Sequence, residues 1–219
     1  MKKIMFNDRY GLTGSVLRGE KTMTRRLMTM TLHKKNGKEM TPIVPDDMFI
    51  ASDGTAHFQV GRNGYMVPKQ NQPSFHVGEE IAIAQSYRQV YDEYLNDINN
   101  PIFEAYAKAK DEEVSGAGFD NKMFVRADLM PHRIIIRKVD VQRLQDITEE
   151  DSTREGIQTD TKHFQPWQGQ HGFYDIEAGH PWLSQSPRLA FINLIDRISG
   201  KGTWQRNPWV YVYTFELLK

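Results

Sequence analysis

The segment Trp209-Val210-Tyr211-Val212-Tyr213-Thr214-Phe215-Glu216-Leu217 constrains the fold most, because its side chains alternate with period two. An extended strand there puts Trp209, Tyr211, Tyr213 and Phe215 on one face and Val210, Val212, Thr214 and Glu216 on the other. A long strand is also expected over residues 133–144, where Ile134, Ile136 and Val141 supply apolar content, and residues 80–90 read as a buried strand. Short helices punctuate these strands without regular βαβ alternation. The pattern predicts an α+β chain: a mixed β-barrel with short flanking helices rather than a doubly wound sheet.

Local signals fill in the rest. Residues 4–6 read as a short strand, followed by a helix over about residues 8–18 that Asn7 or Asp8 would cap, with Gly19 suited to the position just past its end. Gly11 and Gly14 weaken that helix. Residues 22–28 alternate loosely. Residues 29–74 are polar and rich in turn signals, and read as an insertion carrying a small hairpin around Arg62-Asn63-Gly64. A surface helix is expected over residues 101–113. Thr148 with Asp151 three positions on starts a short helix that Gly156 ends. Residues 158–185, dense in Gly, Gln, His and aromatics without a period, read as a long loop and a second insertion. Ser186-Pro187 opens a helix whose apolar stripe is Leu189, Ile192, Ile195 and Ile198, before Gly200.

A chain of 219 residues with 39% hydrophobic content can bury one substantial core, so one decorated domain over residues 1–219 is expected. Lys plus Arg (28) equals Asp plus Glu (28), so no global positive field draws the protein onto a nucleic acid, and such binding needs a local patch. The absence of cysteine excludes a disulfide scaffold, a thiolate metal site and a cysteine nucleophile. No stretch approaches the roughly 18 apolar residues of a membrane helix. A soluble, cytoplasmic protein with no membrane partner is the expectation.

The densest polar constellation is Gly19-Glu20-Lys21-Thr22-Met23-Thr24-Arg25-Arg26, three cations and two hydroxyls within six positions after a helix end. Guanidinium groups grip phosphate in bidentate fashion, and Lys and Thr add a point charge and hydroxyl donors. The same composition also fits a solvated basic turn. In an extended segment Thr22, Thr24 and Arg26 face away from Lys21, Met23 and Arg25, so Lys21 and Thr24 converge only across a turn or bulge. If they do, burial and the neighbouring arginines would lower the Lys21 pKa, letting it deprotonate Thr24 as a nucleophile. His163, His171 and His180 share the long loop with Asp160 and Asp175, at spacings that match no metal signature. No phosphate loop, zinc-protease helix or nucleophile-elbow serine is present, so neither a metal nor a cofactor is expected. Trp167, Trp182, Phe173 and Tyr174 are candidates for stacking a base or for pinning the loop to the core.

Residues 16–26, Val-Leu-Arg-Gly-Glu-Lys-Thr-Met-Thr-Arg-Arg, resemble the opening of the ASCH domain family, a helix followed by a G-x-K-T-x-T-x-R segment. The resemblance continues in Val77-Gly78-Glu79-Glu80-Ile81, in residues 143–151 with Glu155-Gly156, and in residues 207–216. It spans the chain apart from residues 29–74 and 158–185, and is to the larger type found in phage-related and bacterial proteins. It implies a PUA-like barrel with a cleft beside the signature, proposed across the family to bind RNA, with nuclease activity in some members. Small members remove the acyl group from N4-acetylcytidine with a lysine, a threonine and a glutamate. The resemblance carries these roles to Lys21 as base, Thr24 as nucleophile and Glu155 as proton carrier or amine-orienting group; Thr22, Arg25, Arg26 and Gln85 are the expected ligand-binding residues. Ile83-Ala84-Gln85-Ser86-Tyr87 stands where larger relatives have Val-Arg-Glu-x-Trp, and Gln85 accepts or donates hydrogen bonds but is no general base. Three readings stay open: a module binding RNA or a modified nucleoside, an amidohydrolase, and an interaction domain of a phage or mobile element.

Overall fold

The alternating segment forms a strand over Trp209–Leu218, and the largest sheet is built around it. The structure, a computed structural model, describes residues 1–28, 33–36, 39–42, 45–59, 62, 65–67, 72–93, 117–159 and 169–218. In chain order these form β1 (Lys2–Ile4), a 3-10 turn (Asp8–Tyr10), α1 (Leu12–Leu17), β2 (Met23–Leu27), β3 (His33–Asn36), β4 (Glu39–Pro42), β5 (Asp47–Ile50), β6 (Ala56–Gln59), β7 (Tyr65–Met66), β8 (Glu80–Ile83) and α2 (Tyr87–Glu93). Then follow β9 (Arg133–Arg143), α3 (Glu149–Arg154), β10 (Gln158–Thr159), β11 (His171–Asp175), β12 (His180–Ser184), α4 (Pro187–Ser199), α5 (Thr203–Arg206) and β13 (Trp209–Leu218).

The chain is mixed α+β with several sheets. The five-stranded one runs β1-β8-β9-β13-β2, with β1 parallel to β8 and the other pairs antiparallel. β9 and β13 pair from Arg143↔Trp209 to Arg133↔Leu218, with a bulge between Thr214 and Phe215. Trp209 to Tyr213 are all buried, so both faces of β13 are covered there and its alternation marks two packed faces. β1 and β2 are the outer strands, and among the described residues no ladder joins them. A side chain does: Arg26 Nη2 on β2 donates to the Met5 carbonyl just past β1 at 2.6 Å.

Short-range signals were realised where they were strongest. Thr148 caps α3 by accepting from Asp151 N at 3.0 Å, and Ser186 caps α4 by accepting from Leu189 N at 3.2 Å. Gly19 takes φ 74°, and the Gly19 and Glu20 N–H groups close on the Val16 and Ser15 carbonyls, the Schellman arrangement that ends α1. β6 and β7 bracket the expected hairpin, whose Asn63 and Gly64 lie outside the described residues, as do residues 101–113. The first insertion is no appendage: Met48, Ala56 and Phe58 belong to the main core, and Trp209 Nε1 donates to the Pro45 carbonyl at 3.1 Å.

Four expectations are corrected. The helix over residues 8–18 breaks at Gly11 (φ 66°) into a 3-10 turn, capped by Asn7, and the shorter α1. The strand expected over residues 80–90 stops at Ile83, because Ser86 and Gln89 form a capping box that starts α2: Ser86 N donates to Gln89 Oε1 at 2.8 Å and Gln89 N to Ser86 Oγ at 3.2 Å. The buried face of α4 is Ala190, Phe191, Leu194 and Ile195, with Leu189 half exposed; a strict three-residue spacing drifts around a helix of 3.6 residues per turn. Residues 158–185 are not a simple loop. Their described part makes the three-stranded sheet β10-β11-β12, turned at Gly179 (φ 69°) and tied down by Asp175, which takes a bidentate pair from Arg9 at 2.9 and 3.0 Å.

A Cβ at Gly172 on β11 would sit 2.0 Å from the Trp182 carbonyl oxygen of β12. Gly172→Ala must therefore push these strands apart, and is expected to cost about 1–3 kcal/mol. The urea midpoint checks this; an unchanged midpoint would contradict the β11–β12 pairing.

Candidate functional site

Lys21 lies between the end of α1 and the start of β2. Its N–H donates to the Ser15 carbonyl, and the next N–H, of Thr22, donates to the Arg154 carbonyl of α3. Lys21 thus precedes the strand and escapes its alternation. Its side chain is 2% exposed, and Nζ donates to the Met23 carbonyl at 2.7 Å, the Glu155 carbonyl at 2.6 Å and Glu155 Oε2 at 2.8 Å. Three acceptors saturate an ammonium. Gly156 (φ 101°) leaves room for this: a Cβ there would meet the Lys21 side chain at 3.4 Å and Leu12 at 3.2 Å.

Glu155 is the C-cap of α3 and is itself buried. Its second oxygen accepts from Arg25 Nη1 at 3.1 Å, while Arg25 Nη2 reaches Asp151 Oδ2 at 2.7 Å and Gln142 Oε1 at 3.1 Å. Two cations, Lys21 and Arg25, are matched by two carboxylates, buried Glu155 and partly exposed Asp151, in one network. Arg25 Nε has no hydrogen-bond partner among the described residues. Arg26 stands apart from it, partly buried, bonded to the Met5 carbonyl with its guanidinium 5.8 Å from the Phe6 ring. Burial pulls the Lys21 pKa below its ordinary 10.5; Glu155 opposes that, and Arg26 and Arg25 add to it.

Lys21, Thr24, Arg25, Arg26 and Glu155 all line one pocket of about 520 Å³. The expected opposition of Thr24 and Arg25 on β2 is overcome because the pocket lies at an outer strand of the sheet and takes residues from both faces. Thr24 is 5% exposed and its hydroxyl has no hydrogen-bond partner among the described residues. The opposite wall is apolar: Phe191, Leu194, Ile195 and Ile198 of α4. Asn7 and Asp8 also line it.

Two expected ligand residues lie elsewhere. Thr22 is not in the pocket lining; its hydroxyl accepts from Arg154 Nε at 3.4 Å. Gln85 lines a second pocket of about 760 Å³ on the other side of α1. Phe173 is buried against the Tyr10 ring and the Trp182 ring is covered by Arg197 at 3.5 Å, while Trp167, His163 and Asp160 lie outside the described residues. His171 Nδ1 pairs with Thr159 Oγ1 at 2.7 Å, and Asp175 is taken by Arg9. Sequence reasoning missed the α4 wall. Its apolar stripe was visible, but a stripe that lines a pocket reads no differently from one that fills a core.

Comparisons with protein-family models, with curated proteins and with solved structures find no match. Among the described residues no helix is long and apolar enough to cross a membrane.

The Lys21 environment has a pH signature. Below the lowered folded pKa both states are protonated and the cost of burying the ammonium is carried in full. Between that pKa and 10.5 the unfolded chain binds the extra proton, so stability rises with pH, by at most about 1.4 kcal/mol per unit. Lys21→Met should lack this rise when unfolding free energies are compared from neutral pH up to 10.5; parallel profiles for the two chains would refute it.

Proposed function

We propose that the protein is an ASCH-type, PUA-like domain whose first pocket holds one nucleobase or modified nucleoside, free or presented by an RNA strand. The observation that carries it is the meeting of Lys21, Thr24, Arg26 and Glu155 opposite an apolar helix face in a pocket of ligand size. A clamp on several backbone phosphates fits less well. The Lys21 donors and the terminal nitrogens of Arg25 are committed to Glu155, Asp151, Gln142 and the Met23 carbonyl and sulfur. Affinity should therefore depend weakly on salt, with a log–log slope shallower than the roughly −0.7 of a single-strand phosphate contact. The lack of cysteine fits a reducing, cytoplasmic setting.

The free hydroxyl of Thr24 favours a second reading, hydrolysis of an acyl amide on N4 of cytidine. Lys21 would first pass a proton to Glu155 across their 2.8 Å contact, in the direction that burial already favours for the lysine. Neutral Lys21 then takes the Thr24 proton as Oγ1 bonds to the acyl carbon. Glu155 protonates N4 as the C–N bond breaks, releasing cytidine and leaving an acyl ester on Thr24. Water, deprotonated by Glu155, attacks that ester as the Lys21 ammonium returns its proton to the departing Thr24 oxygen, and Glu155 then passes its proton back to Lys21, restoring the starting ion pair.

The test is incubation with N4-acetylcytidine and chromatography for cytidine, alongside calorimetric binding. The hydrolase reading expects cytidine from the wild type, none from Thr24→Val, and binding retained by that variant. Saturable binding without turnover leaves the binding module alone; no saturable binding of any nucleoside at millimolar concentration overturns both.

A further inference from the structure

The second pocket, about 760 Å³, lies across α1 from the first: Leu12 lines one, while Gly11, Thr13, Gly14 and Leu17 line the other. Two of its polar side chains, each more than nine-tenths buried, carry an oxygen with no hydrogen-bond partner among the described residues. Gln85 is 4% exposed, and its Nε2 donates to Glu93 Oε2 at 3.1 Å. A carboxylate only accepts, so the amide has one orientation, and it leaves Oε1 with no donor. Tyr10 is 6% exposed, its ring edge-on to Phe173 at 5.4 Å, and its hydroxyl bonds to nothing among the described residues.

An orphaned buried polar atom such as Gln85 Oε1 is rare in folded proteins and asks for a partner. The charges of this pocket are already spent. Glu20 is held by both Arg18 Nε and Nη2 at 2.8 Å, and Asp8 by Lys122 at 2.8 Å and by the Thr13 hydroxyl. With no free carboxylate, a cationic amine or guanidinium finds no counter-charge. With no free cation, neither does a phosphate. What remains is a neutral site with one strict acceptor, one hydroxyl that donates or accepts, and apolar lining from Leu17, Phe173 and Ile176.

We propose that this pocket binds a nucleobase carrying an exocyclic amino group, adenine or cytosine, whose amine donates to Gln85 Oε1 and whose ring nitrogen or carbonyl pairs with the Tyr10 hydroxyl. The site does not rest on the function proposed for the first pocket. An amino group satisfies the orphaned acceptor, whereas a keto group at the same ring position sets two acceptors face to face. Uracil and hypoxanthine are thereby rejected.

The test is calorimetric titration of the full chain with adenosine, inosine, cytidine and uridine. Adenosine or cytidine is expected to bind at least tenfold tighter than its keto counterpart. Gln85→Met keeps the side-chain length and removes the acceptor, and is expected to abolish that preference. Tyr10→Phe, which removes one oxygen from a buried ring, should weaken binding several-fold with the preference kept; it tests the site should Gln85→Met fail to fold. Equal affinity for amino and keto partners, or binding lost in Arg26→Ala, which lines only the first pocket, but kept in both Gln85→Met and Tyr10→Phe, would overturn the proposal. The second result would assign the ligand to the first pocket.

Discussion

The Lys21–Glu155–Arg25–Asp151 network is the constraint on which the rest of the first pocket depends. It joins the start of β2 to α3 across more than a hundred residues of chain, with Lys21, Arg25 and Glu155 buried and Asp151 partly exposed. Its net charge is zero, which makes burial tolerable, yet a buried ion network is weak evidence of stability, because desolvation offsets most of the attraction. Its physical effect is specificity. Removing one member strands the others, at about 3–5 kcal/mol, so the chain has little freedom to place β2 against α3 in another register.

That fixed register explains how an outer strand can carry a pocket. β2 pairs only with β13 in the five-stranded sheet, and an unpaired outer edge is ordinarily a liability. Here side chains close it. Arg26 reaches over to the Met5 carbonyl, Phe6 packs on Phe215, and Lys21 curls back over the Met23 carbonyl. α4 then covers the opening with Phe191, Leu194 and Ile195. The pocket is what remains between a polar edge and an apolar helix face.

The sequence revealed the parts of this that depend on near neighbours. The N-caps Thr148 and Ser186, the left-handed Gly19 and the two long strands all rest on signals within a few residues, and all are present. Two competing local signals misled. The apolar run after Glu80 masked the Ser86–Gln89 capping box, and the Gly- and Gln-rich composition of residues 158–185 hid strands whose anchor, the Arg9–Asp175 pair, spans 166 positions. Lys21, Thr24 and Glu155 were named through a family resemblance, but their shared pocket was not legible, since it depends on where α3 and α4 dock. Gln85 shows the converse: named as a ligand-binding residue alongside the signature segment, it lines the second pocket and not the first.

The saturation of the network also decides what a ligand in the first pocket meets. Every Lys21 N–H is used, both Glu155 side-chain oxygens accept, and Arg26 is held by a backbone carbonyl. Thr24, buried among these groups, is left with a hydroxyl that none of them engages. A group whose neighbours are largely engaged with one another is held in a fixed setting, as preorganised recognition requires. Lys21 differs from the arginines here in one respect. Its charge is the one that burial weakens, whereas a guanidinium stays protonated, so the proposed hydrolysis would move its proton between Lys21 and the carboxylate it touches. Arg25, with its terminal nitrogens bridging Glu155 and Asp151, holds that carboxylate in place.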